Sequence, residues 1–243
     1  MKKTALLLFI LTIAAGANAQ SDGYYLTIDD VANSTLLLPP PPADSSARLA
    51  YDVECYRNGK ALRDTERGDL AASDAQLDDA GLTRAFSEAF GIEISPATTP
   101  QTYRLITGMR EDAGDLATRH AKNHYRRTRP YIYFKEHTCV PDAEAGLAGN
   151  GSYPSGHTAK AWATALILAE LNPGRQDEIL RRGFEMGQSR VICGYHFQSD
   201  VDAGRVVGSA VVARLHADKR FSRQLKKARK EMKKLIAKGA VRK

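Results

Sequence analysis

The chain has 243 residues, 43% hydrophobic and 26% charged, with three cysteines. That length suits one globular domain, or two at most, and buries a core without needing disulfide or metal staples. The formal net charge of +7 does not describe a general nucleic-acid binder, because the excess sits at one end: residues 218–243 carry 12 Lys or Arg against 2 Asp or Glu, while 20–217 carry 21 against 26.

Met1-Lys2-Lys3, the apolar run Ala5 to Ala15 and the small residues Ala17-Asn18-Ala19 have the three-part pattern of a cleavable export signal. The run is too short to span a bilayer, and no later stretch reaches the ~18 apolar residues a spanning helix needs. The expected organisation is therefore a signal over 1–19, a catalytic domain over 20–217 and a basic helical tail over 218–243. The mature protein is expected in the periplasm or secreted, with cleavage near Ala19. Tail residues Leu225, Met232, Leu235 and Ile236 form a partial apolar stripe.

After the signal, Leu36-Leu37-Leu38 runs into four prolines, Pro39 to Pro42, which predict an extended segment lying on the surface. Ala47 to Phe90 predicts two or three helices, with breaks at Asn58-Gly59, Gly81 and Gly91, and Ile92 to Pro100 is a connector. No alternating strand pattern of useful length occurs, so the pattern predicts an all-α fold. A helix over about Thr102 to Thr128 places Glu111, Asp115, Thr118, Lys122, Tyr125 and Arg129 on one face, with Lys122 and Arg129 two turns apart. Pro130 should end it. Tyr131 to Ser152 reads as a long irregular connection of the kind that often carries function.

The stretch Gly151-Ser152-Tyr153-Pro154-Ser155-Gly156-His157-Thr158 reads as a tight turn feeding a helix that stops at Asn172-Pro173-Gly174. A helix start offers free backbone N–H groups and the positive end of the dipole to an anion. Gln176 to Gln188 forms the next helix and delivers Arg190 at its end. Cys193-Gly194 breaks the chain, and Ser199 is the expected N-cap of a last core helix, Asp200 to His216. Exported proteins keep disulfides, and Cys139–Cys193 is the favoured pair because each neighbours a converging segment; Cys55 is left over.

Lys122, Arg129 and Arg190 are cations, Ser155, Gly156 and His157 form an anion nest, and Asp200 stands where it can orient His196. This combination suits phosphoryl transfer, where negative charge spreads over three oxygens in the transition state. A neutral imidazole becomes the nucleophile when its other nitrogen donates to a carboxylate.

The set Lys122-x6-Arg129-Pro130, Pro154-Ser155-Gly156-His157 and Ser189-Arg190-x5-His196-x3-Asp200 resembles the three-part signature of the type 2 phosphatidic acid phosphatase superfamily. Gly151 to Thr158 is similar, more narrowly, to the signature of the class A bacterial non-specific acid phosphatases, and the likeness runs from about Leu36 to Ala217. It implies a single-domain helical bundle of the acid phosphatase and vanadium-dependent haloperoxidase type. The activity it implies is metal-independent, cofactor-free hydrolysis of phosphate monoesters (nucleotides, sugar phosphates, aryl phosphates) through a phosphohistidine. By the same likeness His196 is the nucleophile, His157 the general acid and Asp200 the orienting carboxylate. Lys122, Arg129, Arg190, Ser155 and Gly156 bind the phosphoryl oxygens, and Glu111 lies near the substrate entrance. Phosphotransfer to alcohols is an expected side activity, and self-association is compatible with the sequence. No specific nucleic-acid partner and no membrane span are expected. The rival readings are a vanadate-dependent haloperoxidase on the same anion cradle and a non-catalytic polyanion-binding module. The second has no use for His157, His196 and Asp200 together.

Overall fold

The computed structural model describes residues 24–242, and the predicted export signal lies outside the described residues. The described chain is all helix and loop, in agreement with the all-α expectation. No helix among the described residues is long and apolar enough to cross a membrane.

The N-terminal half begins with a single turn, α1 (Ser34–Leu37), before the prolines. It continues through α2 (Ala47–Lys60), α3 (Glu66–Ser73) and α4 (Asp79–Phe90). Gly91, at φ +84°, ends α4 as the sequence suggests, but Gly81 lies inside its first turn and breaks nothing. The helix is capped three residues before it, by the Asp78 carboxylate accepting the Gly81 N–H.

The long helix expected over 102–128 is two helices. α5 (Pro100–Glu111) passes through a π-helical turn, Asp112–Leu116, into α6 (Ala117–Tyr125). The interruption has an identifiable partner: the buried Asp112 carboxylate accepts the backbone N–H groups of Tyr25 and Leu26 at 3.0 and 2.9 Å. Burial raises its pKa to about 7. α6 then stops three residues early, because Arg126 adopts a left-handed conformation at φ +44°. Arg129 is extended ahead of Pro130 and caps α7 (Pro130–Phe134). It therefore does not stand two helical turns above Lys122, and the single-face argument for that pair fails. The connection 131–152 is also less irregular than expected, since it holds most of α7 and a further short helix, α8 (Glu144–Ala148).

The core forms around α9 (Gly156–Leu171), flanked by α10 (Gln176–Ile192) and α11 (Gln198–His216). α9 is buried nearly all round, and its alanines let neighbouring backbones come close. A Cβ on Gly204 or Gly208 of α11 would lie 2.7 Å from Ser155 O or 2.8 Å from Ala159 O, and one on Gly183 of α10 would lie 2.4 Å from Ala165 Cβ. α11 starts earlier than predicted. Phe197, not Ser199, is its N-cap residue, and Asp200 in the first turn accepts the Phe197 N–H at 2.8 Å. The last helix, α12 (Lys219–Ala237), buries Phe221, Leu225, Ala228 and Met232 along α5, while Leu235 is half-buried and Ile236 exposed.

Candidate active site

The start of α9 is pressed against the π turn. A Cβ on Gly156 would sit 2.4 Å from the Gly114 carbonyl oxygen, so only glycine fits there. Ser155 caps α9, its hydroxyl accepting from the Thr158 N–H at 3.2 Å and the Thr158 hydroxyl at 2.9 Å. With two donors already received, the Ser155 hydroxyl keeps only its own proton to offer. Ser155 is fully buried and does not border the cavity described below, whereas Gly156 and His157 do.

That cavity has a volume of about 1080 Å³, and Glu111, Lys122, Arg129, Gly156, His157 and His196 are among the residues that line it. Residues separated by up to 85 positions in the sequence thus line one cavity, and Arg129 reaches it from an extended segment instead of the helix. Lys122 Nζ donates to Gly151 O at 2.5 Å, and burial with the neighbouring Arg129 charge lowers its pKa to about 7. Arg129 Nε donates to the carbonyls of Leu147 and Asn150, both at 3.0 Å, and Nη1 to Tyr195 O at 3.2 Å.

His196 is delivered by the turn after α10, where Gly194 at φ +79° reverses the chain and Tyr195 N–H returns to Arg190 O. Its Nδ1 faces Asp200 Oδ2 at 3.5 Å and the Ser152 hydroxyl at 3.3 Å, and that hydroxyl donates to the same carboxylate oxygen at 2.5 Å. A proton on Nδ1 is the tautomer these acceptors favour, which leaves the lone pair on Nε2. There Arg129 Nη1 lies 3.2 Å away as a donor. Burial, Arg129, Lys122 and Arg190 push the His196 pKa well below its ordinary value. His157 is lowered likewise, by burial first and then by Arg190 and Lys160.

Arg190 is 1% exposed and stacks on Tyr195, 4.2 Å from the ring centre. Its Nε and Nη1 have no acceptor among the described residues. Burial brings its pKa down to about 10, still far above neutrality, so it is a charged group with two N–H donors open among the described residues. Such a group is costly unless an anion completes it. The backbone N–H groups of Gly156 and His157 likewise find no acceptor among the described residues. Lys122, Arg129, the open N–H groups of Gly156 and His157 and the two imidazoles line the cavity as a donor set for a tetrahedral oxyanion, and Arg190 stands outside that lining.

Four contributors escaped the sequence reading. Arg127 joins Asp200 Oδ1 (2.5 Å) to Asp52 Oδ2 (2.8 Å), and Asp52 also accepts the N–H and hydroxyl of Ser199. Ser152 holds both Asp200 and His196. Lys160 pairs with Glu111 at 2.8 Å on the cavity wall. Asp52 lies 148 positions from Asp200, and nothing local marks it; Lys160 was recognisable as one turn beyond Gly156 on the same helix. Cys139 and Cys193 are bonded, as expected, with Cα atoms 4.8 Å apart, and Cys55 is free.

Residues 112–223 match the PAP2 superfamily. A non-specific acid phosphatase of Providencia stuartii is 53% identical over 214 residues, covering 88% of this chain and 86% of that protein. A non-specific acid phosphatase of Salmonella typhimurium is 42% identical over 233 residues, covering 96% and 93%. An acid phosphatase of Zymomonas mobilis is 38% identical over 186 residues, covering 76% and 70%.

Proposed function

The chain belongs to the non-specific acid phosphatases of the PAP2 superfamily, and on that premise we propose that it hydrolyses phosphate monoesters through a phosphohistidine on His196. The observation that carries this reading is Arg190: a buried, charged guanidinium with two open N–H groups, beside two neutral imidazoles. A phosphoryl group supplies the missing acceptors, and only a reacting one gives both imidazoles work.

In the first step the Nε2 lone pair of His196 attacks phosphorus while the bond from phosphorus to the ester oxygen breaks. Arg129 must release Nε2 and turn its N–H to a phosphoryl oxygen. Lys122, Arg190 and the Gly156 N–H serve the same oxygens, whose charge grows in the transition state, while the Ser155 hydroxyl, outside the cavity, caps the helix that presents Gly156. Asp200 and Ser152 hold Nδ1–H and stabilise the cationic phosphoimidazole. The leaving oxygen takes a proton from His157. In the second step neutral His157 takes a proton from water, the hydroxide oxygen bonds to phosphorus, the P–N bond breaks, and phosphate departs. An alcohol in place of that water gives phosphotransfer.

Acid preference follows from the cations. Burial and the cations hold His157 neutral in the empty site, and a phosphate dianion offsets the cations, so the proton that His157 donates enters with the substrate. The cavity is broad enough for varied leaving groups, which supports action on nucleotides, sugar phosphates and aryl phosphates alike. Export to the periplasm belongs to this reading, and the Cys139–Cys193 bond supports an oxidising compartment.

The direct test is acid quenching with ³²P-labelled substrate, followed by mapping of the label, with EDTA present throughout. Label on His196 is the expected result; label elsewhere, or none in any pre-steady-state sample, rejects the covalent step. Vanadate should inhibit without conferring bromide oxidation, which separates this reading from a haloperoxidase.

A further inference from the structure

The solvent side of α12 takes no part in the chemistry above. Arg223, Lys226, Lys227, Lys230, Lys233 and Lys234 are all exposed and have no acidic partner among the described residues. At 100° per residue they fall within an arc of about 120° and extend over roughly 16 Å of helix. Lys219 and Lys238, also exposed and without an acidic partner among the described residues, continue the stripe at both ends. The remaining charges are used elsewhere. Arg229 pairs with Glu170, Arg220 donates to the carbonyls of Tyr24 and Tyr25, and Glu231 turns inward to the N–H groups of Gln101 and Thr102. No acidic side chain interrupts the stripe.

Unpaired like charges at i, i+3 and i, i+4 destabilise a helix. Six together, on a body whose 20–217 segment is net acidic, need an external counter-charge to become favourable. We propose that α12 is a docking surface for a bilayer rich in anionic phospholipid, held by charge without insertion. Insertion is precluded because the apolar side of the helix, Phe221, Leu225 and Met232, is already buried against the body. The composition of the stripe favours lipid over nucleic acid. Five of the six are Lys, compact charges suited to a diffuse anionic plane, where Arg forks would suit individual phosphates. No aromatic side chain lies among them to stack on bases. Docking would hold the phosphatase at a membrane surface while its soluble substrates diffuse to the cavity.

The test is co-sedimentation of the mature protein with vesicles of phosphatidylcholine, alone or mixed with phosphatidylglycerol, at low and high salt. Binding should require phosphatidylglycerol and be released by salt. Each Lys near such a surface contributes roughly fivefold to binding. The variant K226Q/K227Q/K230Q/K233Q/K234Q should therefore lose roughly three thousandfold of partitioning, with kcat/KM on an aryl phosphate unchanged. Unaltered binding by that variant, binding to pure phosphatidylcholine, or displacement by duplex DNA at equal charge concentration would each overturn the proposal. The salt titration of the unmodified protein decides the matter even if the variant misfolds: binding that survives high salt is not held by charge.

Discussion

Arg127 Nη1 donates to Asp200 Oδ1 at 2.5 Å, while its Nη2 donates to Asp52 at 2.8 Å, so one guanidinium bridges two carboxylates that are each about 1% exposed or less. Asp200 in turn faces His196. Removing Arg127 leaves two buried acids without their shared cation, a change that typically costs about 3–5 kcal/mol. Arg127→Ala should therefore melt at clearly lower temperature and lose kcat, since the carboxylate that fixes the His196 tautomer is no longer anchored. Arg127→Lys keeps the charge but loses the fork, and should recover part of the stability and less of the rate. Melting curves and steady-state kinetics on both variants check this; unchanged values for Arg127→Ala would remove the bridge from the mechanism.

The same bridge shows where sequence reading ends. Lys122, Arg129, His157, Arg190, His196 and Asp200 were legible because their spacing, and the likeness it carries, belongs to single contiguous motifs. Arg127 sits inside one of those motifs yet was invisible, because its partners come from α2 and α11, and pairing across 75 positions leaves no periodic trace. The helix expected through Thr128 failed for a similar reason. Asp112 is unremarkable in sequence and breaks the regular helix only because residues 25 and 26 pass beside it. Pro130 was a sound stop signal, but the left-handed Arg126 is set by tertiary pairing, including Ser152 N–H to Arg127 O at 2.8 Å.

The empty site should be acid-sensitive and anion-protected. His157 and His196 have pKa values below their ordinary ~6.5, so below that pH the unfolded chain binds more protons than the folded one. Their contribution is thus fully present above pH ~6.5 and is lost as pH falls toward the folded values. Sulfate stays a dianion across this range and should bind with proton uptake by His157. Its stabilisation should be larger near about pH 5 than near about pH 8, where Lys122, at about 7, has also lost charge. Differential scanning fluorimetry with and without sulfate reads this, and protection that is equal at the two pH values contradicts it.

Glu111 neutralises Lys160 at the cavity wall. Glu111→Gln should free that cation toward the substrate and lower KM for multiply charged esters such as phytate by a few-fold. The pair is partly exposed, which limits its strength to about 1 kcal/mol or less. Its effect on kcat for an aryl phosphate should be small. A fall in kcat with unchanged KM would instead make Glu111 part of the reacting group.

Gly156 touches the Gly114 carbonyl where a Cβ would lie at 2.4 Å. Gly156→Ala must push the start of α9 away from the π turn, a clash between backbones that no rotamer relieves. Overpacking of this kind costs about 1–3 kcal/mol. Because Gly156 also presents its N–H to the cavity, kcat should fall more than the melting temperature suggests. Retention of full activity would show that α9 can shift without harm to the anion nest.

His157 and His196 should separate kinetically. His196→Ala removes the nucleophile and should abolish turnover and labelling together. His157→Ala removes the proton donor of the first step and the base of the second, but the two losses are unequal across substrates. A nitrophenolate leaves without help, so phosphorylation of His196 survives, whereas attack by water still lacks its base. The phosphoenzyme should accumulate in this variant, giving a burst of nitrophenol close to one per enzyme and then a slow steady rate. Alkyl phosphates, whose alkoxide needs the proton, should lose about 10²–10⁴-fold even in the first step. Rapid-quench kinetics with both substrate types measures the burst. Equal losses with aryl and alkyl esters would assign His157 to binding, not to proton transfer.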